Sequence, residues 1–389
     1  MPLRDDKMKK ICFVTTIYST FRSFLKQFSV FLYESGEYDI SLICDGNSVD
    51  KEDLPSFIHL YPVKMKRGIS LSAFSAIRQI KKIFKEQQFD IVQYSTPNAA
   101  FYASIAAKKA KIPVRLYCQW GMAYVGFSGI RRFVFKRIEK IICQLSTWIE
   151  PDSYGNLEFA HKEKLYPASK SSVVWNGSAC GIDLIKFNVN EKEKYRKIIR
   201  EKYNLSDKSF VFGFVGRITG DKGINELFSA FKTLSEQYND IYLLLVGAKE
   251  KEKSLSKDLL NWAENFNRII FAGRTSVVEQ YLSAMDCFVL PSYREGFGIG
   301  TIEAEAMSVP VIVTDIPGPS DAMIGEVTGI KVIKKDISSL QNAMERMIND
   351  KNNVFGENGL KFVVDNFEQK RFFEYLLADR ERLLNDSAR

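Results

Sequence analysis

Histidine is almost absent from this chain of 389 residues: His59 and His161 are the only two, and neither lies in a motif. The sequence also has no Asp-x-Asp pair to hold a cation against a diphosphate, no C-x-x-C pair, and no His/Cys/Asp cluster with the spacing of metal ligands. The common sequence signatures of a metal site are therefore excluded. We expect no metal and no other cofactor.

Long apolar runs are missing too. A basic segment, Lys7–Lys10, precedes the apolar Ile11–Tyr18, but that run is short and rich in threonine, and no small-residue cleavage site follows. No other stretch approaches the roughly 18 apolar residues of a spanning helix. The six cysteines are scattered, mostly in apolar patterns, as in reduced cytosolic proteins. We expect a cytoplasmic protein, soluble or peripheral on a membrane.

What the chain does have is a regular alternation of apolar strand patterns and helical patterns, which indicates parallel sheets with helices on both faces. A length of 389 residues exceeds what one core usually holds. A lysine- and glutamate-rich segment near Phe187–Tyr203 separates two such series, and Phe367–Leu384 has the pattern of a final helix. The expected strands are Lys10–Thr16, Ile40–Cys44, Ile91–Tyr94, Val114–Tyr117, Phe210–Val215, Ile241–Val246, Ile269–Phe271, Cys287–Leu290 and Val311–Thr314.

The most informative segment is Pro291–Met307, which follows an apolar strand and leads into a helix. Glu295 and Glu303 are eight residues apart, and the turn between them has glycines at 296, 298 and 300. Glycines let backbone N–H groups approach a ligand closely, and a helix N-terminus offers unpaired donors to a phosphate. The carboxylates suit the hydroxyls of a ribose and a sugar instead. The pattern predicts a site for a phosphorylated sugar, with an ordinary packed turn as the alternative.

A second segment, Phe210–Gly223, strengthens this interpretation. An apolar strand ends in a loop that contains Arg217 and Lys222, and a helix begins at Ile224. Open parallel sheets bind ligands beyond the carboxyl ends of their strands. A guanidinium fork and an ammonium point charge together suit a diphosphate. The alternative is two solvated loop cations.

With these two segments, the chain resembles glycosyltransferase family 4, retaining enzymes of the two-domain GT-B fold. The Gly-Arg-(four residues)-Lys-Gly motif matches positions 216 to 223, and the Glu-(seven residues)-Glu motif matches Glu295 to Glu303. The segments 271–274, 285–292 and 309–315 are also similar to the family. The resemblance implies two Rossmann-like, doubly wound parallel-sheet domains that face a central cleft. We assign residues 1–187 to the acceptor domain, 188–367 to the donor domain, and 368–389 to a helix that crosses back.

The resemblance also implies roles for individual residues. Arg217 and Lys222 would hold the donor diphosphate, Glu303 the ribose hydroxyls and Glu295 a sugar hydroxyl, while backbone near Arg274 would face the base. Arg217, Lys222 and Glu295 are the catalytic candidates. The full donor-binding prediction is Gly216, Arg217, Lys222, Arg274, Glu295, Phe297, Gly298, Ile299, Gly300 and Glu303.

The first half matches the family less specifically. Where many members have a His-Gly pair beside the donor sugar, this chain has Trp120-Gly121. This departure implies a changed donor, a different pocket floor or a weakened activity. The acceptor-side candidates are Thr16, Arg22, Trp120 and Gly121.

Charge is divided unevenly along the chain. Positions 1–190 contain 27 basic and 17 acidic residues, and positions 191–389 contain 28 and 30. Basic residues recur at helical spacing, as Arg78, Lys81, Lys82 and Lys85 and again as Arg132, Lys136 and Lys140. Either helix alone is typical of a core-facing helix with a solvated basic face, but the asymmetry favours a first domain that faces an anionic membrane. Nucleic acid is not expected, because no recognisable module accompanies the charge.

The predicted function is transfer of a hexose or N-acetylhexosamine from a nucleotide sugar, UDP-linked by preference, to a lipid-linked saccharide at the inner face of a bacterial membrane. Two alternatives stay open: a nucleotide-sugar epimerase of related architecture, and a non-catalytic nucleotide-sugar sensor or assembly subunit. A nicotinamide enzyme ranks last, since the first strand runs into Thr15–Tyr18 with no G-x-G-x-x-G.

Overall fold

The computed structural model describes residues 8–65, 72–250, 254–350 and 354–388. Lys7, in the basic segment considered above, lies outside the described residues. The chain divides into two compact units, Met1–Cys180 with Arg371–Arg389, and Gly181–Lys370. The sequence prediction placed this division at 187/188 and the start of the final segment at 368.

The first unit is a six-stranded parallel sheet with the strand order β3-β2-β1-β4-β5-β6. Its helices cover the sheet because each strand is followed or preceded by an amphipathic segment. The elements are β1 (Lys9–Val14), α1 (Tyr18–Phe24), α2 (Lys26–Glu34), β2 (Tyr38–Cys44), β3 (His59–Pro62), α3 (Ser72–Gln87), β4 (Ile91–Tyr94), α4 (Pro97–Ala110), β5 (Val114–Gln119), α5 (Gly129–Leu145), β6 (Trp148–Pro151) and α6 (Tyr154–Lys162).

The second unit is another six-stranded parallel sheet, with the order β12-β11-β10-β7-β8-β9. The elements are α7 (Lys192–Lys202), β7 (Phe210–Val215), α8 (Ile224–Gln237), β8 (Ile241–Val246), α9 (Lys257–Asn265), β9 (Ile269–Gly273), α10 (Val278–Ser283), β10 (Cys287–Leu290), α11 (Ile299–Ala306), β11 (Val311–Thr314), β12 (Gly329–Val332), α12 (Ile337–Asn349), α13 (Phe355–Phe367) and α14 (Gln369–Ser387), of which α14 belongs to the first unit from Arg371 onward.

Both sheets have the same topology when the strands of each unit are numbered from one to six, namely 3-2-1-4-5-6. The strand order reverses between the first and fourth strands, which are β1 and β4 in the first unit and β7 and β10 in the second. This is the doubly wound arrangement, and ligands bind at the reversal, the topological switch point. The predicted α/β class with two Rossmann-like sheets is confirmed.

The C-terminal helix α14 packs within the first unit. Phe373 lies 5.4 Å from Phe28 between ring centroids. Arg380 is fully buried, and its guanidinium makes a bidentate pair with the Glu150 carboxylate and also donates to Gln93 Oε1 at 3.1 Å. Since an unpaired buried charge is costly, this pair fixes the register of α14 against β4 and β6.

Three strands were missed by the sequence prediction, and each lies at a sheet edge. β3, β6 and β12 have only four residues each. β3 is at least partly exposed along its whole length, and both β3 and β6 end in proline, so neither shows a long apolar run. No helix among the described residues has the combined length and apolar character needed to cross a membrane.

Candidate active site

Two loops meet at the switch point of the second unit. One links β7 to α8 and includes Gly216–Gly223, and the other links β10 to α11 and begins at Pro291. They are neighbours because β7 and β10 pair directly, with Phe212 opposite Cys287. The two segments singled out in the sequence therefore form one site at the position where this sheet type binds ligands.

The backbones of these loops touch. Gly223 has φ +71°, and a Cβ there would lie 2.1 Å from the carbonyl oxygen of Pro291. Beside this contact, the Tyr293 N–H donates to the Asp221 carbonyl oxygen at 2.9 Å. Only glycine at 223 permits both the left-handed backbone and the close approach. The loops therefore hold each other at a fixed spacing.

Lys222 and Glu295 are brought into direct contact. Lys222 Nζ lies 2.6 Å from Glu295 Oε1, and the Ser292 hydroxyl donates to the same oxygen at 2.7 Å. Both side chains are mostly buried, at 16% and 15% exposure. The ammonium is thus held at the switch point beside a carboxylate that retains acceptor capacity for a sugar hydroxyl.

Asp221 links the remaining cations of the site. Its Oδ2 lies 3.2 Å from the Arg294 guanidinium and 3.8 Å from that of Arg217. Burial raises the pKa of Asp221, but the hydrogen bond from Thr219 and the charges of Arg294, Arg217 and Lys222 outweigh it, so the pKa lies below its ordinary value. Asp221 is therefore ionised at neutral pH.

Arg217 is the more exposed cation of the predicted pair. Its side chain is 49% exposed and also contacts Glu250 Oε2 at 3.2 Å. Exposed ion pairs of this kind contribute little, about 0–1 kcal/mol, so the contact with Glu250 holds the Arg217 guanidinium only weakly.

The glycine-spaced turn forms the entry to α11. Gly298 is the N-cap with φ +86°, no side chain caps the helix, and its first turn has no acidic residue. A Cβ at Gly318 would lie 1.7 Å from the Gly296 carbonyl oxygen, so the backbone at Gly318 packs closely against this turn. Uncapped N–H groups at a helix start favour a negative ligand.

Within this turn, Phe297 has a structural side chain. Its ring is 2% exposed and lies 5.2 Å from the ring of Phe367. Gly300 is also packed closely, since a Cβ there would lie 3.1 Å from the ring of Phe288. The contribution of Phe297, Ile299 and Gly300 to a donor site is thus limited to backbone groups and the half-buried Ile299 side chain.

Glu303 lies one turn into α11 and is half-buried. Burial raises its pKa to about 7; the Lys186 ammonium opposes the shift and the Glu279 carboxylate adds to it. Glu279 itself is 6% exposed, and its Oε2 is 3.9 Å from Lys186 Nζ. Glu303 is therefore poised between the neutral and ionised forms near neutral pH.

Three glycines, Gly216, Gly247 and Gly273, join the β7 loop to the end of β9. A Cβ at Gly247 would lie 1.8 Å from the Gly216 carbonyl oxygen, and the Gly247 N–H donates to the Gly273 carbonyl oxygen at 2.8 Å. Arg274 follows this glycine and is exposed. The backbone at 273–274 is thus joined to the β7 loop, while the Arg274 side chain extends to solvent.

The acceptor-side candidates all lie in the first unit. Thr16 lies in the loop that follows β1. Its hydroxyl lies 2.8 Å from the hydroxyl of Thr96, which lies in the loop that follows β4. Thr96 has φ +65°, a conformation that a β-branched residue rarely adopts. Thr16 and Thr96 therefore mark the switch point of this unit.

Trp120 and Gly121 follow β5 in the same unit. Trp120 is half-buried, and its ring packs on Phe24 of α1 at 5.2 Å between centroids. Gly121 has φ +85°, and Arg22 is an exposed residue of α1. The structure thus connects Trp120 to the helix that carries Arg22 through Phe24, and no hydrogen bond joins the four candidates to one another among the described residues.

Three residues at the site were missed by sequence reasoning: Asp221, Ser292 and Arg294. Each lies within a segment that was singled out, but short loop residues with charged or hydroxyl side chains are ordinarily solvated. Their pairing depends on the contact between two loops that are about 70 residues apart in the chain. The described ranges, with their gaps, contain no group of three or more His, Cys, Asp or Glu that would hold a metal ion.

Two parallel-sheet units of this topology, with a cationic glycine loop at the second switch point, define the class of GT-B glycosyltransferases. The crystal structure of Anabaena Alr3699/HepE in complex with UDP and glucose matches with a TM-score of 0.77 over 96% of this chain and 100% of that chain, at 18% identity. This likeness shows the fold. The predicted GT-B fold is confirmed.

The chain belongs to glycosyltransferase family 4, as the motifs predicted. Family models match residues 195–362 (glycosyl transferases group 1) and residues 10–149 (glycosyl transferase 4-like). The Staphylococcus aureus capsular polysaccharide biosynthesis glycosyltransferase CapM is 32% identical over 88% of this chain and 89% of the relative. An Escherichia coli UDP-Gal:alpha-D-GlcNAc-diphosphoundecaprenol alpha-1,3-galactosyltransferase is 28% identical over 86% and 87%. The prediction of a glycosyltransferase is confirmed.

Proposed function

We propose that this glycosyltransferase moves a hexose or N-acetylhexosamine from a nucleotide sugar, UDP-linked, to a lipid-linked saccharide in bacterial surface polysaccharide synthesis, with retention of the anomeric configuration. The observation that carries the proposal is the Lys222–Glu295 contact at the second switch point. It combines a cation for a diphosphate with a carboxylate for a sugar hydroxyl. The name of the E. coli relative, which includes a UDP donor and a diphosphoundecaprenol acceptor, supports the substrate classes.

The chemistry of the proposed reaction requires stabilisation of the departing nucleoside diphosphate. Lys222, Arg217 and the uncapped N–H groups at the start of α11 supply it without a metal. Preorganised donors of this kind are often the largest catalytic term, and loss of one costs about 10² to 10³ in rate. Glu303 would accept hydrogen bonds from the ribose hydroxyls, and its ionised form is the better acceptor.

We also propose that the first unit docks on an anionic membrane surface from the cytoplasmic side. Three apolar side chains are strongly exposed near the N-terminal ends of α3 and α5: Phe74 at 75%, Ile130 at 84% and Phe133 at 61%. Exposed apolar side chains among cations suit the interface of an anionic bilayer.

The cations around these apolar residues differ from those predicted for α5. Arg132 and Lys136 are paired with Glu163, at 3.3 Å and 2.6 Å. The exposed cations of α5 are Arg131 and Arg137 instead. On α3, three residues of the predicted basic face, Arg78, Lys82 and Lys85, are exposed, and the fourth, Lys81, is half-buried. The membrane-facing surface that we propose is therefore α3 together with the N-terminal half of α5.

Neither alternative function is favoured by an observation in the structure. An epimerase would convert a nucleotide sugar without an acceptor, and an assembly subunit would bind it without turnover. Both are outcomes of the assay that follows.

A transfer assay with UDP-, GDP- and ADP-linked sugars and undecaprenyl-diphosphate saccharides tests the proposal directly. We expect one UDP-sugar to label one acceptor in the presence of a chelator, with the anomeric configuration kept. Conversion of the donor without acceptor would indicate the epimerase. Binding of the donor without any turnover over an acceptor panel would indicate the assembly subunit.

Vesicle flotation tests the membrane surface. The chain should float with anionic vesicles at low salt and should not float with neutral ones. The double variant Ile130→Ser/Phe133→Ser should float several-fold less, whereas Tyr154→Ser, which removes a 49% exposed aromatic residue from α6, should not change flotation. Failure of the unchanged chain to float at low salt would remove the membrane proposal.

A further inference from the structure

Arg294, which directly precedes Glu295, is a third cation at the proposed donor site. The two sequence motifs assign it no role. Its guanidinium reaches across from the β10 loop to the β7 loop and contacts Asp221 Oδ2 at 3.2 Å. The side chain is 36% exposed. Its Nε–H is nevertheless buried and has no hydrogen-bond partner among the residues that the structure describes.

The unpaired Nε–H is informative because buried donors are rarely left without an acceptor. Leaving such a group unpaired destabilises the folded state. A purely structural arginine would be expected to use its donors on fixed partners, as Arg200 does with Asp286 and the carbonyl oxygens of Ser206 and Ser209. Arg294 instead has one N–H donor, at Nε, that is unpaired beside the switch point.

Asp221 shows what kind of ligand fits between the two arginines. Its Oδ2 is shared by Arg294 at 3.2 Å and Arg217 at 3.8 Å, one from each loop. A carboxylate between two guanidinium groups occupies the environment that a phosphate group prefers, because the planar fork of arginine matches both anions. The Asp221 carboxylate is thus an anion of the chain itself, located between the guanidinium groups of Arg294 and Arg217.

We propose that Arg294 and Arg217 together clamp the diphosphate of the donor, and that the Asp221 carboxylate occupies this clamp in the ligand-free chain. The inference rests on the proposed function, since it takes the donor to be a nucleoside diphosphate sugar. The phosphate displaces Asp221 from the two guanidinium groups and gives the Arg294 Nε–H its acceptor. Asp221 therefore competes with the donor, and Arg294 is a binding residue.

The proposal predicts opposite effects from the two partners of a single contact. Arg294→Ala removes a donor fork and should weaken binding of the nucleoside diphosphate by about tenfold to a hundredfold. Asp221→Asn removes the competing charge and should tighten binding by about twofold to fivefold. Arg294→Lys keeps the charge without the fork and should lie between Arg294→Ala and the unchanged chain.

A structural role makes a different prediction. If the Arg294–Asp221 contact only ties the two loops together, both variants lose the same tie, and both should weaken binding.

Calorimetric titration of the full chain with UDP, GDP and ADP, with chelator present, distinguishes these outcomes. Arg346→Ala is the matched control, because Arg346 pairs with Glu326 at 2.7 Å elsewhere in the same unit, and it should leave the affinity unchanged. Thermal melting of each variant checks that it is folded. Opposite shifts for Arg294→Ala and Asp221→Asn support the clamp.

Shifts in the same direction, or an unchanged affinity in Arg294→Ala, would overturn the clamp while the proposed function stands. Failure of the unchanged chain to bind any of the three diphosphates would overturn the proposed function itself, and the clamp with it.

Discussion

The two units of this chain share one topology and differ at the one place where that topology binds ligands. In the second unit, the loops at the switch point bring together Lys222 and Glu295 at 2.6 Å and two arginines around Asp221. In the first unit, the corresponding segments, Thr15–Ile17 and Ser95–Thr96, contain no charged residue, and two threonine hydroxyls meet at 2.8 Å. The fold supplies the position, and a few loop residues decide which ligand it suits.

The units are more alike in how they are stabilised. Each buries one arginine on a carboxylate, Arg380 with Glu150 in the first unit and Arg200 with Asp286 in the second. Both arginines are at most 1% exposed. The comparison therefore predicts shared responses in stability and separate responses in ligand binding.

The largest expected effect is on stability. Arg380→Ala leaves the buried Glu150 carboxylate unpaired and should lower the free energy of unfolding of the first unit by about 3–5 kcal/mol. Urea unfolding followed by tryptophan fluorescence measures it, since Trp120, Trp148 and Trp175 lie in this unit and only Trp262 lies in the other. Arg382→Ala, which removes a 39% exposed partner of Asp379, should cost less than about 1 kcal/mol. Equal losses from both variants would contradict the buried-pair account.

Next in size is the effect of a site lysine on turnover. Lys222→Ala removes the buried cation of the second switch point and should lower the transfer rate by about 10² to 10³. The control is Lys26→Ala in the first unit, where Lys26 pairs with Asp53 at 2.5 Å. That variant should transfer sugar at close to the normal rate in the same assay. A similar loss in both would mean that Lys222 acts through folding alone.

A smaller effect concerns pH. The pKa of Glu303 is raised to about 7 from 4.5, chiefly by burial. Between these values the folded state retains a proton that the unfolded state releases, so the contribution of Glu303 to stability falls as pH rises from 4.5 to 7. Glu303→Gln should flatten that slope in unfolding measurements across this range. An unchanged slope in the variant would remove Glu303 as its source.

The first unit provides the contrast, because the pKa of Glu163 is shifted in the opposite direction to that of Glu303. A hydrogen bond from Lys136 lowers the pKa of Glu163, against a smaller effect of burial, and the charges of Lys136 and Arg132 lower it further. Its contribution is present above the ordinary carboxyl pKa and is lost as pH falls below it. Glu163→Gln should therefore lower the free energy of unfolding at neutral pH and leave it nearly unchanged at the acid end of the profile, where Glu163 is already protonated.

The smallest expected effect is at Trp120. Trp120→Ala removes a half-buried ring from Phe24 in the first unit, so we expect a several-fold rise in the KM for the acceptor and a donor affinity unchanged within about twofold. Trp120→Phe, which keeps an aromatic contact with Phe24, should be close to normal. A change in the donor affinity alone would contradict the assignment of Trp120 to the acceptor side.

Much of this fold follows from local sequence. Nine strands were predicted from apolar runs bounded by turns, and the structure has a strand in each place. The edge strands β3, β6 and β12 were missed because each has at least one partly or fully exposed residue, whereas the equally short central strands β4, β10 and β11 are buried along their whole length and read as apolar runs.

The site was only partly predictable for a related reason. Lys222 and Glu295 are each followed directly by a glycine in a segment that reads as a loop, and this local signal identified both. The pairing of Lys222 with Glu295, the bridge from Arg294 to Asp221 and the raised pKa of Glu303 arise from packing between distant segments. Such contacts have no local pattern, because they depend on β7 lying beside β10 and on α10 lying beside α11.

The most direct test of the central claim is saturation-transfer NMR of the full chain with UDP-, GDP- and ADP-sugars in the presence of chelator, repeated with Arg217→Ala. The account predicts that one nucleotide sugar binds without metal, that binding is lost or strongly weakened in Arg217→Ala, and that Arg22→Ala in the first unit retains it. Failure of every nucleotide sugar to bind, or full binding by Arg217→Ala, would contradict the assignment of the donor site to the second switch point.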